Sequence, residues 1–131
     1  MVLKNIRIFS HTPDEYLASV AGYLQEINVK QGELIFEKGT IGRSLYIIVN
    51  GKVKLHSQDV ELGILTNNEV FGEWAALDPE PRAASVTALE DSTLFKLEQD
   101  ALYDLMSFDI EIVRGILHIL CQNLRNVTEE L

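Results

Sequence analysis

Sixteen consecutive residues carry the chain's most chemically suggestive side chains. They run Phe71-Gly72-Glu73-Trp74-Ala75-Ala76-Leu77-Asp78-Pro79-Glu80-Pro81-Arg82-Ala83-Ala84-Ser85-Val86. From Leu55 to Phe95 there are eight acidic residues and one cation, Arg82. A single guanidinium in acidic surroundings, preceded by proline and followed by two alanines, suggests a small anion-binding pocket. Gly72 lets a ligand approach the backbone. A helical turn beginning there leaves its first N–H groups unpaired, and both the free donors and the helix dipole favour a phosphate-like anion. Arg82 adds a planar fork of donors matched to two phosphate oxygens. Ala83 and Ala84 keep the pocket wall close, and Ser85 adds a hydroxyl.

Glu73 is repelled by an anion unless it serves a neighbouring group. An ionised carboxylate only accepts hydrogen bonds, so a sugar hydroxyl beside the phosphate is a fitting donor. Arg82 is also placed to hold Glu73 before a ligand arrives, offsetting the cost of burying its charge. A phosphate and a ribose hydroxyl held together form the polar half of a cyclic nucleotide. On residue types alone a second reading stays open. Gly-Glu pairs are common, and an arginine after proline often belongs to a solvated loop.

The elements that must position these residues follow from periodicity. Up to about Gln25 the chain reads as helical. Thr12-Pro13-Asp14-Glu15 supplies an N-cap hydroxyl, proline at the first helical position and a glutamate three residues after the cap. Tyr16, Leu17, Val20, Ala21 and Leu24 recur at helical spacing, and Phe9 is placed to staple that face. From Glu26 to Leu97 the period becomes that of strands, at 33–37, 44–49, 52–56, 84–89 and 93–97. Asn50-Gly51 between two alternating runs predicts a hairpin. Strands this short and regular suggest a small antiparallel barrel or jelly roll. Ala101, Leu102, Leu105 and Met106 then mark a short amphipathic helix. Ile110, Val113, Leu117, Leu120, Leu124 and Val127 place a 3-4-3-4-3 apolar stripe on a second helix over about 109–128. The expected fold is one α+β domain over 1–131, helical over 1–25, barrel over 26–97 and C-terminal helices over 98–131.

Bulk properties narrow the partners. The chain has 131 residues and a net charge of −9, a balance that repels nucleic acid and anionic membrane surfaces. Nearly half of the residues are apolar, yet no run reaches membrane-spanning length and no signal-peptide pattern is evident. Cys121 is the only cysteine, which excludes an internal disulfide and fits a reducing compartment. The expectation is a soluble cytoplasmic domain.

Residues 71–86 resemble the phosphate-binding cassette of cyclic nucleotide-binding domains. Such domains occur in regulatory subunits of cyclic-AMP-dependent protein kinase, in cyclic-nucleotide-gated channels and in bacterial catabolite activator proteins. The pattern of Phe-Gly-Glu, an aliphatic residue, Ala, then Pro-Arg, two small residues, a hydroxyl residue and Val is filled without a gap. Gly39, Gly42, Leu45-Tyr46-Ile47-Ile48 and Gly51 resemble the family's barrel, and the helix–barrel–helix order agrees as well. The resemblance implies that Glu73 takes the ribose 2′-OH and Arg82 the cyclic phosphate. Backbone N–H groups near Gly72, Glu73, Ala75 and Ala84 complete the cradle. Family members preferring cyclic GMP often carry threonine after the arginine; Ala83 stands there, which leans towards cyclic AMP. Three departures stand out. Trp74 replaces an aliphatic residue and is expected to pack beneath the cassette. Arg43 follows Gly42 where an acidic residue is frequent. The segment between Lys54 and Glu69 implies a trimmed hairpin.

Other motifs carry less. His11, His56 and His118 lie in separate segments without metal-ligand spacing. Cys121 on an apolar helix reads as a buried small hydrophobe, and no nucleophile-elbow pattern is present. An enzyme on a jelly-roll scaffold would need a metal-ligand cluster. The apolar stripe suits docking on the barrel, with Ile112, Ile116 and Ile119 broadening the face, a lid over the base with Asn123 and Arg125 as contacts, or a homodimer seam. The reading adopted is a non-catalytic sensor. Its ligand orders the cassette and re-docks the C-terminal helices, by which the domain controls an effector linked in a longer protein. Two alternatives accompany it. One is the sensor part of a cyclic-AMP-dependent transcription regulator, whose basic helix-turn-helix does not appear before Leu131. The other is a degenerate domain used only for protein interaction, against which the intact Gly72, Glu73 and Arg82 argue.

Overall fold

A computed structural model describes residues 2–6, 9, 10 and 12–130; the side chains of residues 2, 74, 75, 123 and 127–130 lie outside that description. A 3-10 turn over Val2–Asn5 precedes helix α1 at Asp14–Tyr23. Six strands follow: β1 at Gln25–Val29, β2 at Leu34–Phe36, β3 at Ile41–Gly42, β4 at Ser44–Asn50, β5 at Lys52–Ser57 and β6 at Val60–Thr66. Strand β7 at Val70–Phe71 leads into helix α2 at Glu73–Leu77. Strands β8 at Glu80–Pro81, β9 at Ser85–Ala88 and β10 at Ser92–Glu98 complete the β region. Helix α3 at Gln99–Phe108 and helix α4 at Ile110–Glu130 follow. The strands form two four-stranded sheets, ordered β1-β10-β4-β7 and β2-β9-β5-β6, with a short β3-β8 ladder. The pairings are antiparallel, giving the expected α+β roll.

Strand β4 explains how the layers join. Its alternating side chains are buried on both sides. Leu45 and Ile47 face a core shared with Phe9, Leu17 and Val20 and with Leu102, Leu105 and Ile112 from the C-terminal helices. Tyr46 and Ile48 face the barrel interior with Val53, Phe71, Val86 and Leu94. Phe9 and Leu17 share one core as the staple reading predicts.

Several expectations change. Asn50-Gly51 is not a hairpin, because β4 pairs with β10 and β7 whereas β5 pairs with β6 and β9. The turn instead carries the chain from one sheet to the other. Gly51 takes φ +139°, and a Cβ there would lie 2.0 Å from Ser92 Oγ. Gly51 N donates to Asn67 Oδ1 at 2.8 Å and Thr66 Oγ1 donates to Gly51 O at 3.0 Å, so the crossing is clamped from the far strand. The two-residue hairpin lies at Gln58-Asp59, where Ser57 pairs with Val60 and Gln58 takes φ +55°. The stretch expected to be trimmed thus holds the full strand β6, whose alternating Val60, Leu62 and Ile64 lie on its exposed side, and β1 precedes the expected strands with Ile27 and Val29 as its apolar positions.

The expected Thr12 cap is absent as well. Helix α1 starts at Asp14, with Pro13 as its cap residue and no side-chain cap bond. Thr12 is fully buried and its hydroxyl has no hydrogen-bond partner among the described residues. Lys4 fixes this junction instead, donating to Thr12 O at 2.7 Å and pairing with Asp14 at 3.5 Å. On α4 the docking face is Ile112 and Ile116, with Ile119 and Leu120 partly buried. Ile110, Leu117 and Leu124 of the apolar stripe are 70%, 55% and 66% exposed, so these three do not seat α4 on the barrel although Leu120 packs against the core. Cys121, expected to be buried, is exposed, because it lies beyond the docked face of the helix.

Candidate functional site

Arg82 is delivered by a backbone clamp. Its N–H donates to Thr40 O at 2.7 Å, and its carbonyl accepts from Gly39 N at 2.9 Å. The β3-β8 ladder, pairing Ile41 with Pro81 and Gly42 with Glu80, secures the residues just before it. The proline-framed loop is therefore tied to the β2–β3 turn, which fixes where the arginine side chain begins.

That side chain turns inward. Arg82 is 7% exposed, and its guanidinium donates from Nη2 to Ser44 O at 3.0 Å and from Nη1 to Gly72 O at 3.3 Å. Its Cζ lies 4.0 Å from the centroid of the Phe36 ring, a cation–π distance. Phe36 in turn belongs to a triad with Tyr46 and Phe71, the latter two stacked at 5.2 Å. Burial lowers the guanidinium pKa from its usual range, an effect Tyr46 opposes. An arginine so held stays charged and presents its donors to a cavity of about 710 Å³, within the size range of small-ligand sites.

Two glycines make room for this arrangement. A Cβ on Gly42 would lie 2.2 Å from Arg82 Nε and 2.3 Å from Cζ. Gly72 takes φ +80°, and a Cβ there would lie 2.7 Å from Arg82 Nη1 and 3.1 Å from Ser44 O. Gly72 also starts the single turn of α2, since Ala76 N donates to Gly72 O at 3.3 Å.

Of the residues singled out from the sequence, Gly72, Glu73, Arg82, Ala83 and Ala84 line this one cavity. Glu73 is half-buried at the first position of α2. Ser85 is buried on β9 and not among the lining residues; its Oγ accepts from Lys38 N at 2.9 Å, which pins the turn after β2. Trp74 and Ala75 sit on α2, but their side chains are outside the described residues, as is that of Asn123. Arg125 is exposed on α4 and outside the cavity lining; among the described residues Ile119 reaches the cavity from α4. His56 bridges Thr87 Oγ1 and Gln58 O, His118 is exposed, and His11 lies outside the described residues. Among the described residues there is no group of three metal-binding side chains. Sequence reasoning missed Phe36, Gly42 as a steric requirement, and the Ser44 carbonyl. Backbone acceptors have no residue-type signature, whereas an aromatic before the glycine-rich turn was a signal that could have been weighed.

Comparison with known proteins agrees with this geometry. The family model described as "Cyclic nucleotide-binding domain" matches residues 26–109. A CRP-like cAMP-activated global transcriptional regulator of Mycobacterium tuberculosis is 29% identical, over 99% of this chain and 60% of that protein. A cAMP-dependent protein kinase regulatory subunit of Aspergillus fumigatus is 31% identical, over 86% of this chain and 28% of that protein. Among solved structures, the Thermus thermophilus catabolite activator protein superposes with a TM-score of 0.88 at 29% identity, over 95% of this chain and 61% of that one. The chain thus spans well under two thirds of the length of each of these proteins.

Gly42→Ala is expected to destabilise the fold by about 1–3 kcal/mol, the usual cost of overpacking. The same substitution in an Arg82→Ala background is expected to cost much less. Denaturant unfolding of the two singles and the double measures that coupling; equal costs in both backgrounds would show that the guanidinium is not what Gly42 accommodates.

Proposed function

The chain belongs to the cyclic nucleotide-binding domain family, and from that premise we propose that it is a non-catalytic sensor whose ligand is cyclic AMP. The observation that carries the reading is the buried Arg82 guanidinium at a cavity shared with Gly72, Glu73, Ala83 and Ala84. In this reading Arg82 exchanges its two carbonyl acceptors for the oxygens of the cyclic phosphate, a stronger charge-assisted pairing. Glu73 accepts the ribose 2′-OH, and the N–H groups at the start of α2 face the phosphate. Ala83 leaves adenine unopposed, and the names of the mycobacterial and fungal relatives, which specify cAMP, support the same choice. Arg82→Ala is expected to weaken cyclic AMP binding by at least about 1.5–3 kcal/mol, the loss of a charge-assisted hydrogen bond. Calorimetric titration measures this, with cyclic GMP as the weaker comparison. Unchanged affinity in the variant would remove the cassette reading, and no binding by the wild type would favour a domain kept for protein interaction.

The output route runs through Tyr103. Its hydroxyl donates to the carbonyl of Leu77, the last residue of α2, and accepts from Gln99 Nε2 at 3.3 Å. Movement of α2 on ligand binding therefore reaches α3 through a hydrogen bond as well as through packing. Amide exchange with and without cyclic AMP is expected to change protection across helices 98–128, and to change it less in Tyr103→Phe. Identical exchange in the helices with and without ligand argues that the cassette does not drive them.

The exposed stripe on α4 supports a homodimer as the output surface. Ile110, Leu117 and Leu124 recur every seven residues, and none is used to seat α4. Leu117→Glu is expected to turn a dimer into a monomer in sedimentation velocity runs; a wild type that is monomeric at tens of micromolar contradicts the seam. The lengths of the relatives suit a sensor within a longer regulator, controlling a covalently linked effector and making no direct nucleic-acid contact of its own. None of the described helices is long and apolar enough to cross a membrane, which accords with a cytoplasmic setting.

A further inference from the structure

One carbonyl at the start of α2 serves two donors. Gly72 O accepts from Arg82 Nη1 at 3.3 Å and from Ala76 N at 3.3 Å. The second contact is the helical bond, spaced four residues, that ties the first turn of α2 to the residue before it. Both are longer than the usual N–H···O distance of about 2.9–3.0 Å, whereas the bond from Arg82 Nη2 to Ser44 O is 3.0 Å. The guanidinium therefore bridges β4, at Ser44, to the start of α2, at Gly72. The far end of α2 is also held through a carbonyl, since the Tyr103 hydroxyl donates to Leu77 O. Between these ends Ala76 is fully buried, in the core that contains Leu102, Leu105, Ile112 and Ile116 of the C-terminal helices. A change in the first turn of α2 is thus felt where those helices pack.

We propose that the Gly72 carbonyl is the relay between ligand occupancy and α2. In the resting pose Arg82 draws this carbonyl away from Ala76 N, and a ligand that takes the guanidinium releases it to close the first helical turn. The relay rests on the reading above, in which Arg82 pairs with the anionic group of the nucleotide, and it supplies the route by which that pairing leaves the pocket. A carbonyl oxygen has two lone pairs and can accept both donors, but each donor weakens the other's hold and sets its own preferred direction. The charged donor is the stronger competitor. Helix α2 has five residues, so its first hydrogen bond is a large share of what holds it helical. Ser44, at the other end of the bridge, starts a strand buried on both faces and stays in place when the guanidinium leaves. The coupling is reciprocal, because whatever strengthens the first turn of α2 also favours the ligand-bound pose of Arg82.

The test measures the bond itself, by the NMR coupling across the hydrogen bond between Ala76 N and Gly72 C′, with amide exchange at Ala76 as the second readout. Arg82→Met fills the space of the side chain without a donor and is compared with the wild type in the absence of ligand. The coupling is expected to grow, and exchange at Ala76 to slow roughly 2- to 10-fold, the equilibrium equivalent of one ordinary hydrogen bond. Cyclic AMP added to the wild type is expected to act in the same direction, and this second comparison decides the matter if Arg82→Met does not fold. An unchanged or smaller coupling in ligand-free Arg82→Met overturns the relay, while cyclic AMP binding by the wild type, read by calorimetry, stands or falls separately. A wild type that binds no cyclic AMP overturns the sensor reading and the ligand-driven relay with it.

Discussion

The rest of the structure depends on strand β4 being buried on both faces. Leu45 and Ile47 are built into the core that holds the helices, while Tyr46 and Ile48 are built into the barrel. Each such side chain contributes roughly 1.5–3 kcal/mol through burial, and close-packed interiors do not deform gradually. Strand β4 is therefore the fixed frame against which anything else must move. Its first carbonyl, at Ser44, is also an acceptor for Arg82, so the site is referenced to a strand buried on both faces.

Burying the guanidinium requires compensation, since an unpaired charge in an apolar setting is strongly unfavourable. Two carbonyls and the face of Phe36 supply it. Tyr46 and Phe71 stack behind Phe36, and Phe71 pairs directly with Tyr46 across β4 and β7. The aromatic triad thus serves the barrel core and the cation together. Gly42 and Gly72 complete the arrangement by omission, because any side chain at either position would meet the arginine.

Much of this was legible in the sequence, for identifiable reasons. The cassette is contiguous, so its residues announce one another, and Arg82 was conspicuous as the lone cation among eight acids from Leu55 to Phe95. The long helices carry strong periodicity and were placed within a few residues. What escaped depends on pairing between distant segments. Asn50-Gly51 has the composition of a hairpin, but the partners of β4 and β5 lie elsewhere, and no local signal reveals a change of sheet. Thr12 has the identity of a cap, yet burial of its hydroxyl and the reach of Lys4 decide the geometry. Ile112, Ile116 and Ile119 were expected on the docking face of α4 and pack there, but only the three-dimensional docking shows that Ile110, Leu117 and Leu124 of the stripe stay exposed.

The hydrogen bonds that Arg82 makes to Ser44 and Gly72 have a bearing on solutes other than the intended one. A simple anion that diffuses into the cavity meets a guanidinium with two of its N–H donors already given to carbonyls. To pair with those donors it must displace both carbonyls as well as shed its own hydration. The resting pose of one side chain thus sets a threshold that any anion entering the cavity has to overcome.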